Sequence, residues 1–462
     1  MPDLNFEDTI AAVATPPGEG GIAVIRVSGA QAIRLVETFF RSLKEESLFH
    51  QPTHTIHHGL LVDERGEAVD EVLVNLFRSP HSFTGEDVVE INCHGGMRVT
   101  RRILEILIRA GARPAEPGEF TKRSFLKGKI DLTQAEAVLD LIRARSDASL
   151  ETALRQLQGK LSERIRQLKE ALLQISAHLE ASLDFPDERL DVFPREECLK
   201  KMEKVQDEIQ SLVGSFRRGL ALREGILTVI VGRPNVGKSS LLNALLERER
   251  ALISPLPGTT RDALEEPLEI AGLPIRLVDT AGLSLSTGGE LDRLGMERTR
   301  SYLHEGQFFL FVVDGSSEWS LEDEAVLSEI RGKNFLVVIN KSDLPFQWNG
   351  KEIKNFGEEK PCFVSCRTGK GLPDLERRLE EKLIQSEMVS ESLTLTRLRH
   401  RLALEKSLEL LTESRRTLEK KESAEFVLVD LKAAIDSLRE LVGEIYSEDL
   451  LDVIFQEFCI GK

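Results

Sequence analysis

Four short motifs between Gly232 and Asp343 carry residue types that fit different parts of one guanine nucleotide. In order they are the phosphate loop GRPNVGKS, the pair Thr259-Thr260, the run DTAG and the run NKSD. Any one of them could arise by chance, but their joint presence in this order predicts a GTPase. The motifs therefore predict the energy source and leave open the work that it drives.

The phosphate loop has the sequence context that such a motif requires, because it follows the strand-like run ILTVIV and precedes the helix-like run SLLNALL. Gly232 and Gly237 permit backbone angles that aim N–H groups at phosphates. Lys238 supplies a positive charge for the β- and γ-phosphates, and Ser239 supplies a hydroxyl ligand for Mg²⁺. A glycine-rich turn in an unrelated α/β fold is the alternative interpretation.

The later motifs also follow strand-like runs. Asp279 in DTAG is expected to reach Mg²⁺ through water, and the N–H of Gly282 is expected to sense the γ-phosphate. In NKSD, the carboxylate of Asp343 can accept hydrogen bonds from N1–H and the exocyclic amine of guanine, a pattern that adenine does not offer. The run from Ser365 to Arg367 is expected near the base, with a loop beside a packed strand as the alternative.

Two residues bear on how hydrolysis is completed. Leu283 stands where small signalling GTPases carry the glutamine that orients the attacking water, and leucine can neither donate nor accept a hydrogen bond. A packing role with slow hydrolysis is the alternative for Leu283. Asn235 places an amide inside the phosphate loop, where it could ligate a monovalent cation. That cation would stand in for the arginine finger that usually neutralises the developing charge.

Composition limits the class of protein. A chain of 462 residues with 41% hydrophobic residues suggests about two to four globular domains. The net charge of -16 argues against a generally basic nucleic-acid surface, although Arg98–Arg113 is a local basic stretch. No apolar run reaches the roughly 18 residues that a membrane span needs. The five scattered cysteines form no disulfide framework and favour the cytoplasm.

The pattern of strand-like and helix-like runs predicts a multidomain protein of the α+β and α/β classes. Residues 1–122 are interpreted as an N-terminal α+β domain with a strong helix at Val99–Ala110. Residues 123–222 and 388–462 are interpreted as two parts of a helical domain, and 223–387 as an inserted Ras-like P-loop GTPase domain. An insertion is reasonable because the two ends of a domain usually lie close together.

Seven apolar residues at alternating steps of four and three predict one long helix in the first helical segment. We expect this stripe to lie in the core of a bundle rather than in a free coiled coil. The stripe consists of Leu150, Leu154, Leu157, Leu161, Ile165, Leu168 and Leu172.

Runs outside the four motifs resemble the MnmE (also called TrmE) family of tRNA-modifying GTPases, over essentially the whole chain. The resemblance is carried by ATPPGEGGIAVIRVSG, SFTGEDVVEINCHGG, RPAEPGEF, KIDLTQAEAV and the final FCIGK. It implies a homodimer that forms a heterotetramer with the flavoprotein MnmG (GidA). This assembly would hydrolyse GTP and add an aminomethyl or carboxymethylaminomethyl group at C5 of the wobble uridine of certain tRNAs.

The resemblance further implies that the N-terminal domain binds a tetrahydrofolate derivative, in the 5-formyl or methylene form, as the one-carbon source. Motif matching places its contacts on Arg26, Glu90, Lys129 and Lys462. The cationic side chains suit a glutamate tail or pterin carbonyls, and the carboxylate suits the pterin amino donors. The alternative for each residue is a surface charge or a weak salt bridge.

Within the nucleotide domain the resemblance implies two metal sites. Mg²⁺ would be bound by Ser239 and Thr260. K⁺ would be bound by four residues, of which the leucine contributes only its backbone carbonyl: Asn235, Ser254, Leu256 and Thr259. Dimerisation of two nucleotide domains bridged by K⁺ would then trigger hydrolysis. The full set of expected GTP contacts is Asn235, Val236, Gly237, Lys238, Ser239, Ser240, Ser254, Pro255, Leu256, Pro257, Gly258, Thr259, Thr260, Asp279, Thr280, Ala281, Gly282, Asn340, Lys341, Ser342, Asp343, Ser365, Cys366 and Arg367.

Candidate catalytic groups are fewer. The family's water-positioning glutamate falls in a segment that reads GELDRLG here, which places Asp292 at the expected position and Glu290 two residues earlier as the alternative. Cys459 in FCIGK could serve redox or covalent chemistry if a nearby lysine favoured its thiolate. A lone cysteine of this kind could equally be a small buried apolar residue.

Two other functions are weighed against this interpretation. A ribosome-assembly GTPase switch would also lack the glutamine, but such proteins commonly append a basic RNA-binding module, whereas this chain appends acidic helices. A membrane-remodelling GTPase would account for long helices around an inserted nucleotide domain. The sequence has no evident basic amphipathic or transmembrane segment to support it.

Overall fold

The structure is a computed structural model that describes residues 8–44, 47–184, 195–252, 265–270, 272–279, 301–348, 356, 359–385 and 393–462, without the side chains of 249–252 and 265–267. The chain divides into two compact units. The first comprises Met1–Leu139, Gln156–Lys201 and Leu410–Lys462, and the second comprises Asp140–Arg155 and Met202–Glu409. Each unit contains one sheet and several helices, so the predicted multidomain α+β and α/β class is confirmed.

The sheet of the first unit has seven strands in the order β3-β4-β5-β6-β2-β1-β7, and all neighbours are antiparallel except β1 and β7. Apolar residues alternate along these strands, so one face of the sheet is buried. The strands are β1 (Ile10–Val13), β2 (Gly20–Ser28), β3 (Phe40–Ser42), β4 (Thr55–Val62), β5 (Ala68–Phe77), β6 (Val88–Gly95) and β7 (Arg113–Pro114).

Two helices, α1 (Ala32–Phe39) and α2 (Met97–Arg109), complete the core of this sheet together with a 3₁₀ turn at Leu48–His50. The strong helix predicted at Val99–Ala110 is confirmed as α2, and its buried residues recur at helical spacing. Four arginines of the basic stretch have acidic partners, and the pairs are Arg101–Glu105, Arg102–Asp63, Arg109–Glu64 and Arg113 with both Asp8 and Glu119.

The remaining helices before the second sheet are α3 (Glu119–Leu126), α4 (Leu132–Arg143), α5 (Asp147–Leu157), α6 (Lys160–Asp184), α7 (Arg195–Gly214) and α8 (Phe216–Glu224). Those after it are α12 (Leu398–Glu419), α13 (Ala424–Val442) and α14 (Glu448–Gln456). In the first unit α6 runs antiparallel to α13, as two ion pairs show: Lys169–Glu444 at 2.5 Å and Lys432–Glu180 at 2.7 Å.

The single long helix predicted for the apolar stripe is wrong. The chain forms α5 and α6 instead, and the break contains Gly159 with a φ of +80°. Because this angle lies in the left-handed region, it interrupts the helix at a residue without a Cβ. Leu150 and Leu154 are largely exposed, whereas the four stripe residues of α6 are buried as expected: Leu161, Ile165, Leu168 and Leu172.

The second unit contains a six-stranded sheet in the order β13-β12-β11-β8-β10-β9, parallel except for β9. The strands are β8 (Ile226–Val231), β9 (Glu265–Ile270), β10 (Leu273–Asp279), β11 (Phe308–Asp314), β12 (Phe335–Asn340) and β13 (Cys362–Phe363). The central strands are continuous apolar runs because both faces are covered. The associated helices are α9 (Lys238–Leu252), α10 (Leu321–Ile330) and α11 (Leu372–Gln385).

The chain segments on either side of this nucleotide-type fold meet within the second unit. The backbone N–H of Leu395 donates to Ser215 Oγ at 3.0 Å, and Gly219 leaves no space for a side chain beside the Leu395 carbonyl. Arg397 binds the buried Asp140 carboxylate at 2.7 Å. Such a meeting of both ends is what an inserted domain requires. Within the described part of the chain, every helix is too short or too polar to span a lipid bilayer.

Candidate functional site

Three of the four motifs of the nucleotide site, the first, third and fourth, have described residues at the carboxyl end of the second sheet. The phosphate loop joins β8 to α9, Asp279 ends β10, and NKSD begins at the end of β12. In parallel sheets of this kind the carboxyl ends of the strands form the ligand-binding edge, most often where the strand order reverses. Here β8 lies between β10 and β11, so the phosphate loop begins at that reversal.

Two glycines allow the phosphate loop its tight path. Gly232 has a φ of +154°, and a Cβ there would collide with the Val312 carbonyl of β11. Gly237 has a φ of +97°, and a Cβ there would collide with the side-chain amide of Asn340. Both positions therefore exclude larger residues by contact with neighbouring strands as well as by backbone angle.

Lys238 is buried at the first residue of α9, with 5% of its surface exposed. Its ammonium group donates to the carbonyls of Gly232 at 2.7 Å and Arg233 at 2.9 Å. Burial lowers the pKa of Lys238, and the nearby Asp279 carboxylate opposes that shift only in part. The charge therefore lies within the curve of the loop that would surround a phosphate.

A pair of oxygen ligands stands beside this lysine. The hydroxyl of Ser239 donates a short hydrogen bond to the Asp279 carboxylate, so residues from α9 and β10 meet at one point. Hydroxyl and carboxylate oxygens are the hard ligands that Mg²⁺ prefers. The structure thus brings together Ser239 and Asp279, two residues expected at the Mg²⁺ site, while Thr260 lies outside the described residues.

The NKSD run is tied to the phosphate loop and to the final loop. Asn340 is buried and donates from Nδ2 to the Val236 carbonyl at 2.9 Å, and its Oδ1 accepts from the Cys366 backbone N–H at 3.3 Å. Lys341 reaches the Asn235 carbonyl at 3.1 Å. The NKSD run therefore connects the phosphate loop on one side with the final loop, at Cys366, on the other.

The carboxylate expected to select guanine accepts a hydrogen bond and is open to solvent. Asp343 accepts a 2.7 Å hydrogen bond from Ser365 Oγ, and that bond holds the pKa of Asp343 below its usual range. Burial raises the pKa of the Cys366 thiol to about 11, so this unusual residue of the loop is a neutral packing group. Ser342 binds the Val364 carbonyl through its N–H at 3.0 Å, which fixes the loop at the edge of β12.

The expected contacts Ser240 and Arg367 lie beside these residues in the chain, on α9 and in the final loop. Several other predicted residues lie outside the described residues: Ser254, Pro255, Leu256, Pro257, Gly258, Thr259, Thr260, Thr280, Ala281, Gly282, Glu290 and Asp292. Leu283 also lies outside them.

A second candidate site lies in the first unit. Arg26 on β2 and Glu90 on β6 are register partners, and Arg26 Nε and Nη2 donate to Glu90 Oε1 at 2.9 and 2.8 Å. The guanidinium also contacts the rings of Phe83 and Phe120, at 5.7 and 5.6 Å from the ring centroids. Phe83 is 38% exposed, so an aromatic face beside the ion pair is open to solvent.

The chain terminus reaches the same place. Arg26 Nη1 donates to the Gly461 carbonyl at 3.4 Å, and the Lys462 carbonyl accepts from the Phe120 N–H at 3.1 Å. Gly461 has a φ of +95° and lies against Val13, where a Cβ would come within 2.9 Å of Ala14 Cα. Three of the four residues expected to bind folate, Arg26, Glu90 and Lys462, are thus neighbours through this turn of the chain.

Lys129 and Cys459 are each connected by a hydrogen bond to a segment next to these residues. The Lys129 ammonium donates to the Pro80 carbonyl at 2.9 Å, on the loop that carries Phe83. The Cys459 side chain is exposed and its carbonyl accepts from the Gly118 N–H at 3.4 Å. Cys459 is therefore not the buried small residue that sequence reasoning offered as the alternative.

Sequence reasoning missed three residues of these sites. Phe83 and Phe120 contact Arg26, and Asp314 binds Lys341. Asp314 has a local signal, since it is the polar residue that ends the apolar strand FFLFVVD at the carboxyl edge. The two phenylalanines have no such signal, because aromatic residues are common in every core.

Comparisons with known proteins cover the parts of the chain that form both candidate sites. A family described as the MnmE helical domain matches residues 132–459, and one described as the GTP-binding protein TrmE N-terminus matches residues 9–129. The tRNA modification GTPase MnmE of Alkaliphilus metalliredigens is 44% identical over 99% of this chain and 100% of that protein. The protein of the same name from Moorella thermoacetica is 46% identical, with the same coverage.

A crystal structure of Era from Aquifex aeolicus bound to GDP.AlF4- is 27% identical, over 40% of this chain and 66% of that one, with a TM-score of 0.28. That likeness is too low to add to the assignment. The matches to relatives extend over nearly the whole sequence and include both candidate sites. The chain therefore belongs to the MnmE family of tRNA modification GTPases.

Proposed function

We propose that this protein hydrolyses GTP and uses the hydrolysis cycle in the modification of tRNA. The observation that carries the proposal is the meeting of the phosphate loop, Asp279 and NKSD at one edge of the second sheet, in a chain of this family. The direct test is release of phosphate from GTP by the purified protein. Equal turnover of GTP and ATP would contradict it, because Asp343 selects guanine.

Binding and orientation of the phosphates fall to the phosphate loop and Lys238. The backbone N–H groups of the loop and the ammonium group of Lys238 would surround the β- and γ-phosphates. The Ser239 hydroxyl and the Asp279 carboxylate fit Mg²⁺ because both offer hard oxygen ligands. The ion, when bound, would neutralise phosphate charge. Removal of Mg²⁺ by a chelator should abolish turnover, and Ser239→Ala should raise the Mg²⁺ concentration that is needed.

We further propose K⁺ activation with dimerisation of the nucleotide domains. The side chain of Asn235 is exposed and follows a left-handed backbone with a φ of +64°, so its amide oxygen is available as a ligand. Ser254, Leu256 and Thr259 would complete the site. Turnover should rise with K⁺ and with protein concentration and stay low in Na⁺. Equal rates in both salts would refute the cation site, and a rate per molecule independent of concentration would refute the dimer.

The attacking water needs a group other than Leu283 to orient it. We propose Asp292 for this role, with Glu290 as the alternative, since both carry the carboxylate that can accept a proton from water. The variants Asp292→Asn and Glu290→Gln separate them. The correct one should lower the turnover number by about 100-fold and leave the affinity for a GTP analogue unchanged, in the usual range for a lost general base.

A tetrahydrofolate derivative is proposed for the first unit. The Arg26–Glu90 pair, the open ring of Phe83 and the Gly461 carbonyl together fit a flat heterocycle with hydrogen-bond donors and acceptors at its edge. Lys129 and Lys462 are suited to hold its acidic tail. The folate, when bound, would supply the one-carbon unit. Calorimetric titration with 5-formyltetrahydrofolate tests this: Arg26→Lys should weaken binding, whereas Arg101→Lys, at an exposed position of α2, should not.

The proposed reaction adds an aminomethyl or carboxymethylaminomethyl group at C5 of the wobble uridine, by a cytoplasmic homodimer acting with the flavoprotein MnmG. Family membership supports this proposal. We include the exposed Cys459 thiol among the groups required. Nucleoside analysis of tRNA from cells that carry only Cys459→Ser would test it, and unchanged modification would exclude the thiol. Unmodified tRNA in the complete absence of the protein is the expected reference.

A further inference from the structure

Asp314 is a buried carboxylate at the end of β11, and its two oxygens have different partners. Oδ1 accepts from the Ser316 N–H at 2.9 Å and from the Ser316 hydroxyl at 2.6 Å, which closes the turn after the strand. Oδ2 binds the Lys341 ammonium at 2.6 Å. Oδ1 therefore stabilises the local turn, whereas Oδ2 binds a residue of the NKSD run, which is distant in the sequence.

Lys341 carries that contact onward to the phosphate loop. The same ammonium group donates to the Asn235 carbonyl at 3.1 Å, so the chain of contacts runs from Asp314 through Lys341 to Asn235. Burial acts to raise the pKa of Asp314, but the hydrogen bond from Lys341 outweighs it and the pKa lies below its usual range. Asp314 is thus charged at neutral pH and pairs with a lysine that has two defined acceptors.

The Asn235 backbone needs such support. Its φ is +64°, in the left-handed region that asparagine adopts more readily than most residues but still at a cost. Lys341 has a φ of +61°, so the residue that holds the loop is itself held in an unusual conformation. Such conformations persist where surrounding contacts determine them.

We propose that Asp314 is a positioning residue of the GTP site, which acts through Lys341 to hold Asn235 in its left-handed conformation. In that conformation the loop N–H groups converge for the phosphates and the Asn235 amide is presented for the cation. The inference rests on the proposed GTP site and deepens it by naming the side chain that prepares the loop.

The variant Asp314→Asn tests this because it nearly preserves the volume of the side chain. An amide has one acceptor oxygen, so it can satisfy the Ser316 donors or the Lys341 ammonium but not both. Two matched controls are available. Ser316→Ala removes only the local hydroxyl bond, and Asp374→Asn makes the same acid-to-amide change on the exposed surface of α11.

The first readout is the phosphate loop itself, measured without nucleotide by hydrogen exchange of a peptide covering residues 232–240. Asp314→Asn should raise its exchange rate, and dissociation of a fluorescent GDP analogue should become about tenfold faster, in keeping with the loss of a charge-assisted hydrogen bond. Both controls should stay within about twofold of the parent protein, since neither removes the Lys341 contact. Exchange and dissociation equal to those of the parent would overturn the proposal.

A double variant separates positioning from a general loss of stability. Asn235→Gly lets the loop adopt a positive φ without the cost of a Cβ. In that background Asp314→Asn should change GDP dissociation by less than about twofold, because the conformation no longer needs the lysine. A tenfold effect in both backgrounds would show a structural role instead and would overturn the proposal.

A further test measures how GTP turnover depends on the K⁺ concentration. In Asp314→Asn the K⁺ concentration for half-maximal turnover should rise by about threefold or more, as expected for a ligand no longer held in place. If the parent protein does not bind guanine nucleotides or does not respond to K⁺, the proposed function fails. If the parent behaves as proposed and the variant matches it, the role of Asp314 fails.

Discussion

The side-chain amide of Asn340 donates to the carbonyl of Val236 at 2.9 Å and so connects the end of β12 to the phosphate loop. Its other atom, Oδ1, accepts from the Cys366 N–H in the final loop. One buried asparagine therefore links the loop expected to bind the phosphates to the loops expected to bind the base. The nucleotide site is in this respect a single hydrogen-bonded structure.

Asn340→Ala should weaken this structure. The Val236 carbonyl and the Cys366 N–H would lose their partner, and an unsatisfied buried polar group costs about 1–3 kcal/mol. We expect a lower unfolding temperature reported by tryptophan fluorescence, since Trp319 and Trp348 both lie in the second unit. Asn334→Ala, at an exposed position of the same unit just before β12, is the matched control, and an equal effect there would contradict the explanation.

Asp343→Asn should reduce selectivity for guanine. The amide presents a donor where the carboxylate accepts two guanine N–H groups, so GTP affinity should fall by about 100-fold, the scale of a lost pair of charged hydrogen bonds. The affinity for xanthosine triphosphate, which carries a carbonyl in place of the exocyclic amine, should rise. Equilibrium binding of fluorescent analogues measures both. Ser365→Ala, which removes only the neighbour at 2.7 Å, should have a much smaller effect.

Gly461→Ala should displace the chain terminus from the second candidate site. A Cβ would come within 2.9 Å of Ala14 Cα and strain a φ of +95°. We expect loss of folate binding by calorimetry, with GTP turnover retained. Gly66→Ala isolates the backbone strain, because its φ is +79° and nothing lies within 4 Å of the added Cβ. Unchanged folate binding in Gly461→Ala would contradict this role of the terminus.

Acid should loosen the first unit through its buried charge cluster. Burial acts to raise the pKa of Asp8 and Glu119, but hydrogen bonds from Arg113 and Arg123 outweigh it, and both pKa values lie below the ordinary range. Because these pKa values are lowered by folding, the stabilisation is present above about pH 4 and is lost as pH falls through the folded-state values. The protection of the β1 and α3 amides, taken relative to the exchange rates of an unfolded chain at the same pH, should therefore fall below about pH 4.

Arg123→Met tests the source of that acid sensitivity. Arg123 is 2% exposed and binds Asp8, Glu86 and Glu119. Its removal takes the cationic partner from the buried Glu86 carboxylate and leaves Asp8 and Glu119 with Arg113 alone, at a cost of about 3–5 kcal/mol. Exchange in β1 should be faster at pH 7 and should depend less on acid. Arg101→Met, which removes the exposed Arg101–Glu105 ion pair of α2, is the control. An acid response as steep as that of the parent would assign the effect elsewhere.

The chemistry of the nucleotide site could be predicted from the sequence because its motifs are local. A strand, a glycine turn and a helix in succession determine the phosphate loop within a few residues, so Lys238, Ser239 and Asn340 could be placed before any fold was known. The same holds for the buried stripe of α6, whose apolar residues repeat at helical spacing. Leu150 and Leu154 fit the same spacing but are exposed, because burial depends on what packs against a helix and the sequence pattern does not contain that.

The tertiary structure decided which distant residues meet. Arg26 and Gly461 are 435 positions apart and come together only because β2 pairs with β6 and the terminus turns at a positive φ. Asp314 reaches Lys341 because β11 and β12 are neighbours in register. The residue types at these positions were visible in the sequence. Their partnerships were not, since pairing between strands and the turn at the terminus arise from packing across the whole unit.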